Sequence, residues 1–153
     1  MSESGRRGRV EAYLRALSEQ DVDRIRSLVH DDYVEEYPQS GERIRGVDNL
    51  VDIVRSYPGG GLKPGAIDAT KARILGEDES WVVGPSLAVV HVTGTGDQFT
   101  GVTTITYPDG STWHVVVIVE FRGDRIWRNT SYFAPVFEAP AWRAAWVERF
   151  DPA

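Results

Sequence analysis

Residues 111–135, STWHVVVIVEFRGDRIWRNTSYFAP, constrain the fold more than any other part of the chain. They predict two long antiparallel strands joined by a tight turn at Gly123-Asp124. The first run, Trp113 to Phe121, is almost entirely β-branched or aromatic, which suits a strand that is covered on both faces. In a chain of 153 residues, such a strand indicates a sheet with helices or a cavity on one side. A second subunit is one candidate for the cover on the other side.

The return strand of this hairpin mixes apolar and polar side chains along one face. Trp127, Asn129, Ser131 and Phe133 are expected to share that face, because alternate residues of a strand point to the same side. Apolar bulk combined with two small polar groups is more typical of a ligand-pocket wall than of a dry core. The pattern therefore predicts a small-molecule pocket against this strand.

Length and composition narrow the class of protein. The 153 residues suffice for one domain, residues 1–153, with a sizeable core. The net charge of −6 argues against a nucleic-acid partner, because phosphate binding needs a basic face. The chain has no cysteine, which excludes disulfides and thiolate sites. It has no apolar run of about 18 residues and no signal-peptide pattern, so we expect no membrane partner and a cytoplasmic location.

The chain is predicted to place helices first and strands afterwards, which is an α+β arrangement with a mostly antiparallel sheet. Helices are expected where apolar residues recur at helical spacing, and strands where β-branched and aromatic runs lie between turn residues. The expected helices are 6–18, 22–30, 47–57 and 140–150; the expected strands are 33–37, 66–75, 81–93, 98–107, 111–122 and 125–133. Gly59-Gly60-Gly61 predicts a flexible connector, and Pro108-Asp109-Gly110 predicts a turn.

Two segments carry a resemblance to a known superfamily. Residues 12–38, AYLRALSEQDVDRIRSLVHDDYVEEYP, have an aromatic on helix one, a Leu-x-x-x-Asp step into helix two, and Asp-Asp before a strand that ends in Pro. They resemble the opening of ketosteroid isomerases and SnoaL-like polyketide cyclases, and VVIVEFRGDRI, residues 116–126, resembles the last hairpin of that family. The element order resembles the nuclear transport factor 2-like superfamily. The resemblance implies a cone in which a strongly curved, mostly antiparallel sheet wraps around the amino-terminal helices, with a short carboxy-terminal helix.

The resemblance also indicates which isomerase groups this chain keeps. Tyr13 matches the oxyanion-stabilising tyrosine of helix one. The catalytic Asp before the strand-closing Pro is matched by Tyr37, and the second acid is matched by Val119. Two of the three catalytic groups are therefore absent. Because proton transfer at an α-carbon needs a base, steroid isomerase activity of the familiar kind is not expected.

Glu35 is the candidate for a substitute base. Strand alternation places Tyr33, Glu35 and Tyr37 on one face, so Glu35 enters the cone if Tyr37 does. A carboxylate beside an apolar cavity has its pKa raised towards neutrality, and Tyr13 or Asn129 could then polarise a carbonyl. The favoured alternative is that Glu35 reaches the rim of the cone and pairs with an arginine such as 43 or 45.

The sequence thus predicts a pocket for a small apolar or polyketide-like molecule with one or two oxygens. The catalytic candidates are Glu35, Tyr13 and Asn129, and the ligand-binding candidates are Tyr37, Trp113, Val115, Val117, Val119, Ser131 and Phe133. An isomerase- or cyclase-like acid–base enzyme and a non-catalytic binding or interaction module both stay open. The cone hosts both kinds of protein.

No cofactor and no metal ion are expected. The three histidines, 30, 91 and 114, have no recognisable metal-ligand spacing. His114 lies out of phase with the pocket-facing valines, so we expect it on the outer face of the sheet, where this family often dimerises. A homodimer through the sheet is therefore predicted.

Overall fold

The computed structural model describes residues 3–56, 86–106 and 111–151. Its helices and strands follow one another in this order: α1 Glu3–Glu19, α2 Val22–Leu28, β1 Val29–Tyr37, β2 Glu42–Arg45, α3 Val47–Arg55, β3 Ser86–Thr95, β4 Gln98–Thr106, β5 Thr112–Arg122, β6 Arg125–Pro135 and a 3-10 helix Ala141–Trp146. Two helices, a short strand, a third helix and then a run of strands follow one another as predicted, with β2 as an added strand. The predicted strand 66–75, the beginning of the strand 81–93, the glycine connector and the turn at 108–110 lie outside the described residues.

The described strands form one sheet of six strands in the order β2-β1-β6-β5-β4-β3. Among the described strands, β1 and β6 run parallel, and every other neighbouring pair is antiparallel. The sheet is curved, and the amino-terminal helices lie against it. The predicted α+β cone with a mostly antiparallel sheet is confirmed.

The core lies between the helices and the inner face of the sheet. Alternate residues of β5 are buried from Val115 to Phe121, and their neighbours are only partly buried. The helices contribute buried apolar residues at helical spacing, and the core cluster includes Val10, Tyr13, Leu14, Ile25, Leu28, Leu50, Val54, Phe99 and Ile126. Such periodicities of 3.6 and 2 are what a helix and a strand need in order to bury one face.

A β-bulge changes the phase of β6 near its beginning. Glu120 lies opposite Arg128, but Phe121 lies opposite Ile126, so Trp127 is the extra residue on β6. The predicted position of Trp127 on the pocket face is therefore wrong. Ile126 is fully buried on that face instead, and the Trp127 ring lies 4.5 Å from the guanidinium carbon of Arg122. One inserted residue turns every earlier side chain of the strand to the opposite face.

The first strand also begins earlier than its pattern suggests. Asp21 caps α2 by accepting a hydrogen bond from the backbone N–H of Arg24 at 2.9 Å, a position that aspartate favours at helix beginnings. Helix α2 ends at Leu28, however, so Val29 and His30 belong to β1 and not to the helix. The short edge strand β2 was not predicted, because Glu42–Arg45 is a charged segment with only one buried residue.

The carboxy-terminal helix is shorter than the predicted helix 140–150. A 3-10 helix covers Ala141–Trp146, and no residue of it is buried. The large apolar residues of this segment, Trp142, Trp146 and Phe150, are largely exposed to solvent. The i, i+4 spacing of the two tryptophans therefore does not mark a face that packs against the described core.

Candidate functional site

Glu35 lies at the centre of a buried polar cluster on the inner face of the sheet. Its carboxylate oxygen Oε1 accepts hydrogen bonds from Asn129 Nδ2 at 3.0 Å and from the Ser131 hydroxyl at 3.3 Å. Its other oxygen, Oε2, accepts one from the Tyr33 hydroxyl at 3.1 Å, and the Tyr37 hydroxyl also bonds the carboxyl group. These residues meet because Glu35 pairs with Asn129 across the parallel strands β1 and β6. We call Tyr13, Tyr33, Glu35, Tyr37, Asn129 and Ser131 the Glu35 cluster.

Burial dominates the electrostatics of Glu35. The residue is only 4% exposed, and loss of water raises the pKa of its carboxyl group above the usual 4.5. Hydrogen bonds from Tyr33, Tyr37, Ser131 and Asn129 act in the opposite direction but do not cancel the rise. Glu35 is therefore a buried acid whose proton is held more tightly than in water.

The neighbouring Glu36, and not Glu35, forms ion pairs with arginine. Its carboxylate contacts Arg43 Nε and Arg128 Nη2, each at 2.7 Å. Hydrogen bonds from these two guanidinium groups lower the pKa of Glu36. The alternative in which Glu35 reaches the rim and pairs with an arginine such as Arg43 or Arg45 is therefore wrong, because Glu35 is buried among neutral donors. Alternation along β1 sends Glu36 to the outer face and Glu35 to the inner face.

Tyr13 reaches Glu35 through Tyr33. The two tyrosine hydroxyl oxygens are 2.5 Å apart, and their ring centroids are 6.3 Å apart. Both side chains are fully buried, and burial together with the charge of Glu35 raises the pKa of Tyr33. Strand alternation predicted Tyr33 on the face of Glu35, but Tyr33 was not among the predicted site residues. Its position two residues before Glu35 on the strand was the signal that could have identified it.

Asn129 is held in one orientation and has one unsatisfied atom. Its Nδ2 donates to Glu35 Oε1 at 3.0 Å and to the Ser131 hydroxyl oxygen at 3.2 Å. Both N–H bonds of the amide are thereby used. Its oxygen Oδ1 is buried and has no hydrogen-bond partner among the residues that the structure describes. A buried acceptor without a partner is costly and points to a donor supplied by water or by a ligand.

The other predicted lining residues share the inner face with the cluster. Val119 pairs with Asn129 and Val117 with Ser131, and these two valines and Val115 are buried. Phe133 pairs with Val115 and contacts the Tyr37 ring edge-on, with 5.6 Å between the ring centroids. Trp113, near the beginning of β5, is partly buried. The structure therefore brings these side chains to one face, while ligand binding by them stays a prediction.

Other kinds of site have less support within the described residues. No group of three histidine, aspartate or glutamate side chains in those ranges lies close enough to hold a metal ion. A surface groove of about 540 Å³ lies between β2 and α3, lined by Arg43, Ile44, Arg45, Asn49, Asp52, Ile53 and Ser56. It shares no residue with the Glu35 cluster. No described helix is long and apolar enough to cross a membrane.

The chain is similar to a known domain family and to several solved structures. A family model described as a SnoaL-like domain matches residues 10–129. A nuclear transport factor 2-like protein of unknown function from Burkholderia xenovorans LB400 is 30% identical, with 99% of each chain covered and a TM-score of 0.70. No curated protein sequence matches the chain significantly.

Two further structures share the fold at lower identity. A candidate ketosteroid isomerase from Kribbella flavida is 21% identical, with 97% of this chain and 92% of that chain covered and a TM-score of 0.74. A candidate SnoaL-like polyketide cyclase from Shewanella putrefaciens is 10% identical, with 84% and 89% covered and a TM-score of 0.61. At these identities the likeness concerns the fold.

Proposed function

Because this chain belongs to the SnoaL-like domain family, we propose that it is an acid–base enzyme acting on a small, largely apolar, oxygenated compound. The reaction would be isomerase- or cyclase-like, with a proton removed from carbon next to a carbonyl group. The observation that carries this proposal is Glu35, a carboxyl group with a raised pKa on the inner face of the cone. We also propose that residues 1–153 form a single domain, and a cytoplasmic location stays a prediction from the sequence.

Glu35 has the properties that a general base needs. A base works best when its pKa lies near the pH of operation, and burial moves the pKa of Glu35 in that direction. In the proposed step its carboxylate takes the α-proton, the C–H electron pair moves into the carbon framework, and the carbonyl oxygen becomes an enolate oxygen. The proton then returns from Glu35 to carbon, either at the same position or at another.

The hydrogen-bond chain from Glu35 through Tyr33 to Tyr13 couples the base to a donor. While Glu35 is ionised, Tyr33 donates to Glu35 and Tyr13 donates to Tyr33. Once Glu35 has accepted a proton, the chain can reverse, because a protonated carboxyl group is itself a donor. Glu35 then donates to Tyr33, Tyr33 donates to Tyr13, and the Tyr13 proton becomes available to the enolate oxygen. We therefore assign the donor role to Tyr13.

Asn129 is better suited to accept than to donate. Both of its N–H bonds are directed at Glu35 and Ser131, whereas its Oδ1 has no partner in the described part of the chain. A hydroxyl group on the ligand would satisfy this oxygen. The ligand class that fits these atoms is a small hydroxylated carbonyl compound with an apolar skeleton.

Hydrogen–deuterium exchange tests this reaction without knowledge of the natural substrate. The protein would be incubated in D₂O with a panel of small cyclic ketones, hydroxyketones and β-keto esters, and proton NMR would follow the loss of the α-proton signals. We expect faster exchange with at least one class than in buffer. Because Glu35→Gln removes the base, it should return exchange to the buffer rate.

Glu36→Gln is the matched control for that variant. It removes one carboxylate from the adjacent position of the same strand, but on the outer face. We expect it to leave the exchange rate unchanged. Exchange that is equal in the wild-type protein and in Glu35→Gln would overturn the proposed role of Glu35.

A non-catalytic binding module is the second candidate function. The observation in its favour is that the Glu35 carboxyl group has four hydrogen-bonding partners, which is about its full accepting capacity. A carboxylate so occupied can serve mainly to position Tyr33, Asn129 and Ser131. Tight binding of a panel compound without any exchange, in a protein whose Glu35→Gln variant binds it equally well, would favour this module.

The predicted homodimer is also part of the proposal. The outer face of the sheet has an apolar row, in which Val116 of β5 lies between Val102 of β4 and Tyr132 of β6. The Val102 and Tyr132 side chains are 41% and 42% exposed. Two copies of the chain that meet through this face would remove the row from water.

A further inference from the structure

The segment after β6 exposes an unusual amount of aromatic surface. Four large side chains between residues 136 and 151 are three-quarters exposed or more: Phe137 at 75%, Trp142 at 76%, Trp146 at 79% and Phe150 at 85%. We call residues 136–151 the carboxy-terminal arm. Single exposed apolar residues are ordinary, but four large aromatics within one short segment are not.

The arm begins at a defined place on the sheet. The backbone N–H of Val136 donates to the carbonyl oxygen of Thr112 at 2.9 Å, which fixes the beginning of the arm to the beginning of β5. Beyond it, the 3-10 helix Ala141–Trp146 has no buried residue. A short 3-10 helix gains little from its own hydrogen bonds, so a stable one usually depends on packing against another surface.

We propose that the carboxy-terminal arm packs against the outer sheet face of a second copy of this chain, over the row formed by Val102, Val116 and Tyr132. This inference rests on the proposed homodimer and adds to it the element that covers the sheet. In a two-fold dimer each copy contributes one arm and one sheet face, so the dimer contains two identical arm–sheet contacts.

The area available agrees with a specific dimer. A fully buried aromatic side chain removes about 150–250 Å² from water. The exposed parts of the four arm aromatics therefore amount to roughly 600 Å² on each copy. The sheet row and the edges of the arm bring the contribution of each partner close to the roughly 800 Å² that is typical of a stable interface.

The charge of the carboxy-terminal arm favours a second copy of the chain over a membrane surface as the partner that the arm contacts. The arm carries two basic residues, Arg143 and Arg149, against three acidic ones, at 138, 148 and 151. Segments that bind anionic lipid surfaces are instead rich in lysine and arginine around their apolar side chains. An almost neutral arm with large aromatics is suited to an apolar protein face.

Sedimentation velocity and light scattering on the full chain test the proposal. We expect the wild-type protein to have twice the 17.1 kDa mass of one chain. The double variant Trp142→Ser, Trp146→Ser should weaken dimerisation by roughly 100-fold or more, because tryptophans at interface centres are frequent hot spots. Ile53→Ser, which removes an exposed apolar side chain of α3 outside both surfaces, is the matched control and should stay dimeric.

A complementation experiment tests the arm–sheet contact itself. The Val102→Lys variant has an intact arm and a disrupted sheet face, whereas the tryptophan variant has the reverse. Each should be monomeric alone, but their mixture should form a heterodimer with one arm–sheet contact, detectable with an affinity tag on one variant. Circular dichroism would establish that both variants remain folded.

The outcomes distinguish the proposed arm–sheet contact from a dimer that forms through the sheet faces alone. A tryptophan variant that stays dimeric would refute the arm and leave the sheet dimer standing. A monomeric wild-type protein would refute both, and its tryptophan emission would then report whether the arm folds back on its own chain. Flotation of a monomeric protein with anionic vesicles would identify a membrane surface as the occupant, which would also overturn the proposal.

Discussion

Replacing Glu35 with Gln should change how the stability of this protein depends on pH. In the wild-type protein burial raises the pKa of Glu35 above its usual 4.5, so the folded state binds the proton more tightly than the unfolded state. The contribution of Glu35 to stability is then fully present below pH 4.5. It is lost as the pH rises from there through the raised pKa, because the unfolded chain ionises first.

The size of the effect follows from linkage. Each unit by which burial raises the pKa corresponds to about 1.4 kcal/mol of folding free energy lost between acidic and neutral pH. The glutamine side chain of the variant does not titrate, and its amide can keep the hydrogen bonds to Tyr33, Asn129 and Ser131 after the Tyr33 hydroxyl rotates. The variant should therefore become more stable relative to the wild-type protein as the pH rises, and the difference should level off above the folded-state pKa of Glu35.

Urea unfolding of both proteins from acidic to neutral pH would measure this difference. The protein concentration must be kept constant, because a dimer is stabilised by mass action. Glu36→Gln is the control, because the contribution of Glu36 to stability should change with pH in the opposite direction. Arg128 and Arg43 lower the pKa of Glu36, so its stabilising contribution is present above the usual 4.5 and is lost as the pH falls through the lowered value. If the stability difference between Glu35→Gln and the wild-type protein does not change with pH, then Glu35 is not a desolvated acid and the proposed base loses its physical support.

Three further substitutions test the packing and the hydrogen bonds by chemical denaturation. Tyr33→Phe should lower the free energy of unfolding by about 1–3 kcal/mol, because it leaves buried hydrogen-bonding groups unpaired. It should also raise the pKa of Glu35 further, because it removes a hydrogen bond that lowers that pKa. A dependence of stability on pH equal to that of the wild-type protein would contradict this. Phe99→Ala should cost about 3–5 kcal/mol because Phe99 is fully buried, whereas the same change at the exposed Ile53 should stay within about 0.5 kcal/mol. Asp21→Ala should cost about 1 kcal/mol through loss of the α2 cap, and Asp21→Asn should recover most of it.

The sequence predicted the fold well wherever side-chain periodicity was strong. The alternation in β5 and the helical spacing in α1 and α3 are confirmed, because each element has one face in the core. It failed where local geometry departs from regular periodicity. The bulge at Trp127 cannot be seen in the side-chain pattern, because an extra residue turns the preceding side chain without changing the composition.

The carboxy-terminal segment shows a second kind of failure. Apolar residues at 142, 146 and 150 match an amphipathic helix, and the spacing is correct for one. The pattern indicates that a face will be buried, but it does not indicate on which molecule. Within one copy of the chain Trp142, Trp146 and Phe150 stay exposed, and the spacing alone does not show which surface covers them.

The location of the candidate site depended on which alternate residues of β1 point to the inner face of the sheet. Glu35 and Glu36 are adjacent and chemically identical, yet the pKa of one is raised and that of the other is lowered. Because side chains alternate along β1, Glu35 contacts neutral hydroxyl and amide donors, whereas Glu36 contacts two arginines. Alternation alone predicted that Tyr33, Glu35 and Tyr37 share a face, but not which face is the inner one.

The pairing of β1 with β6 decides which of the two faces is inner, and it is a long-range feature. Glu35 lies opposite Asn129 only because these strands are neighbours and run parallel, although 94 residues separate the two side chains along the chain. Shifting that register by one residue would turn Glu36 to the inner face, among the neutral donors, and Glu35 to the outer face. The pKa of Glu35 is raised on the inner face, and the pKa of Glu36 is lowered on the outer face. On this strand that contrast arises between consecutive residues, so the comparison of Glu35→Gln with Glu36→Gln separates the effect of the surroundings from the effect of removing a carboxylate.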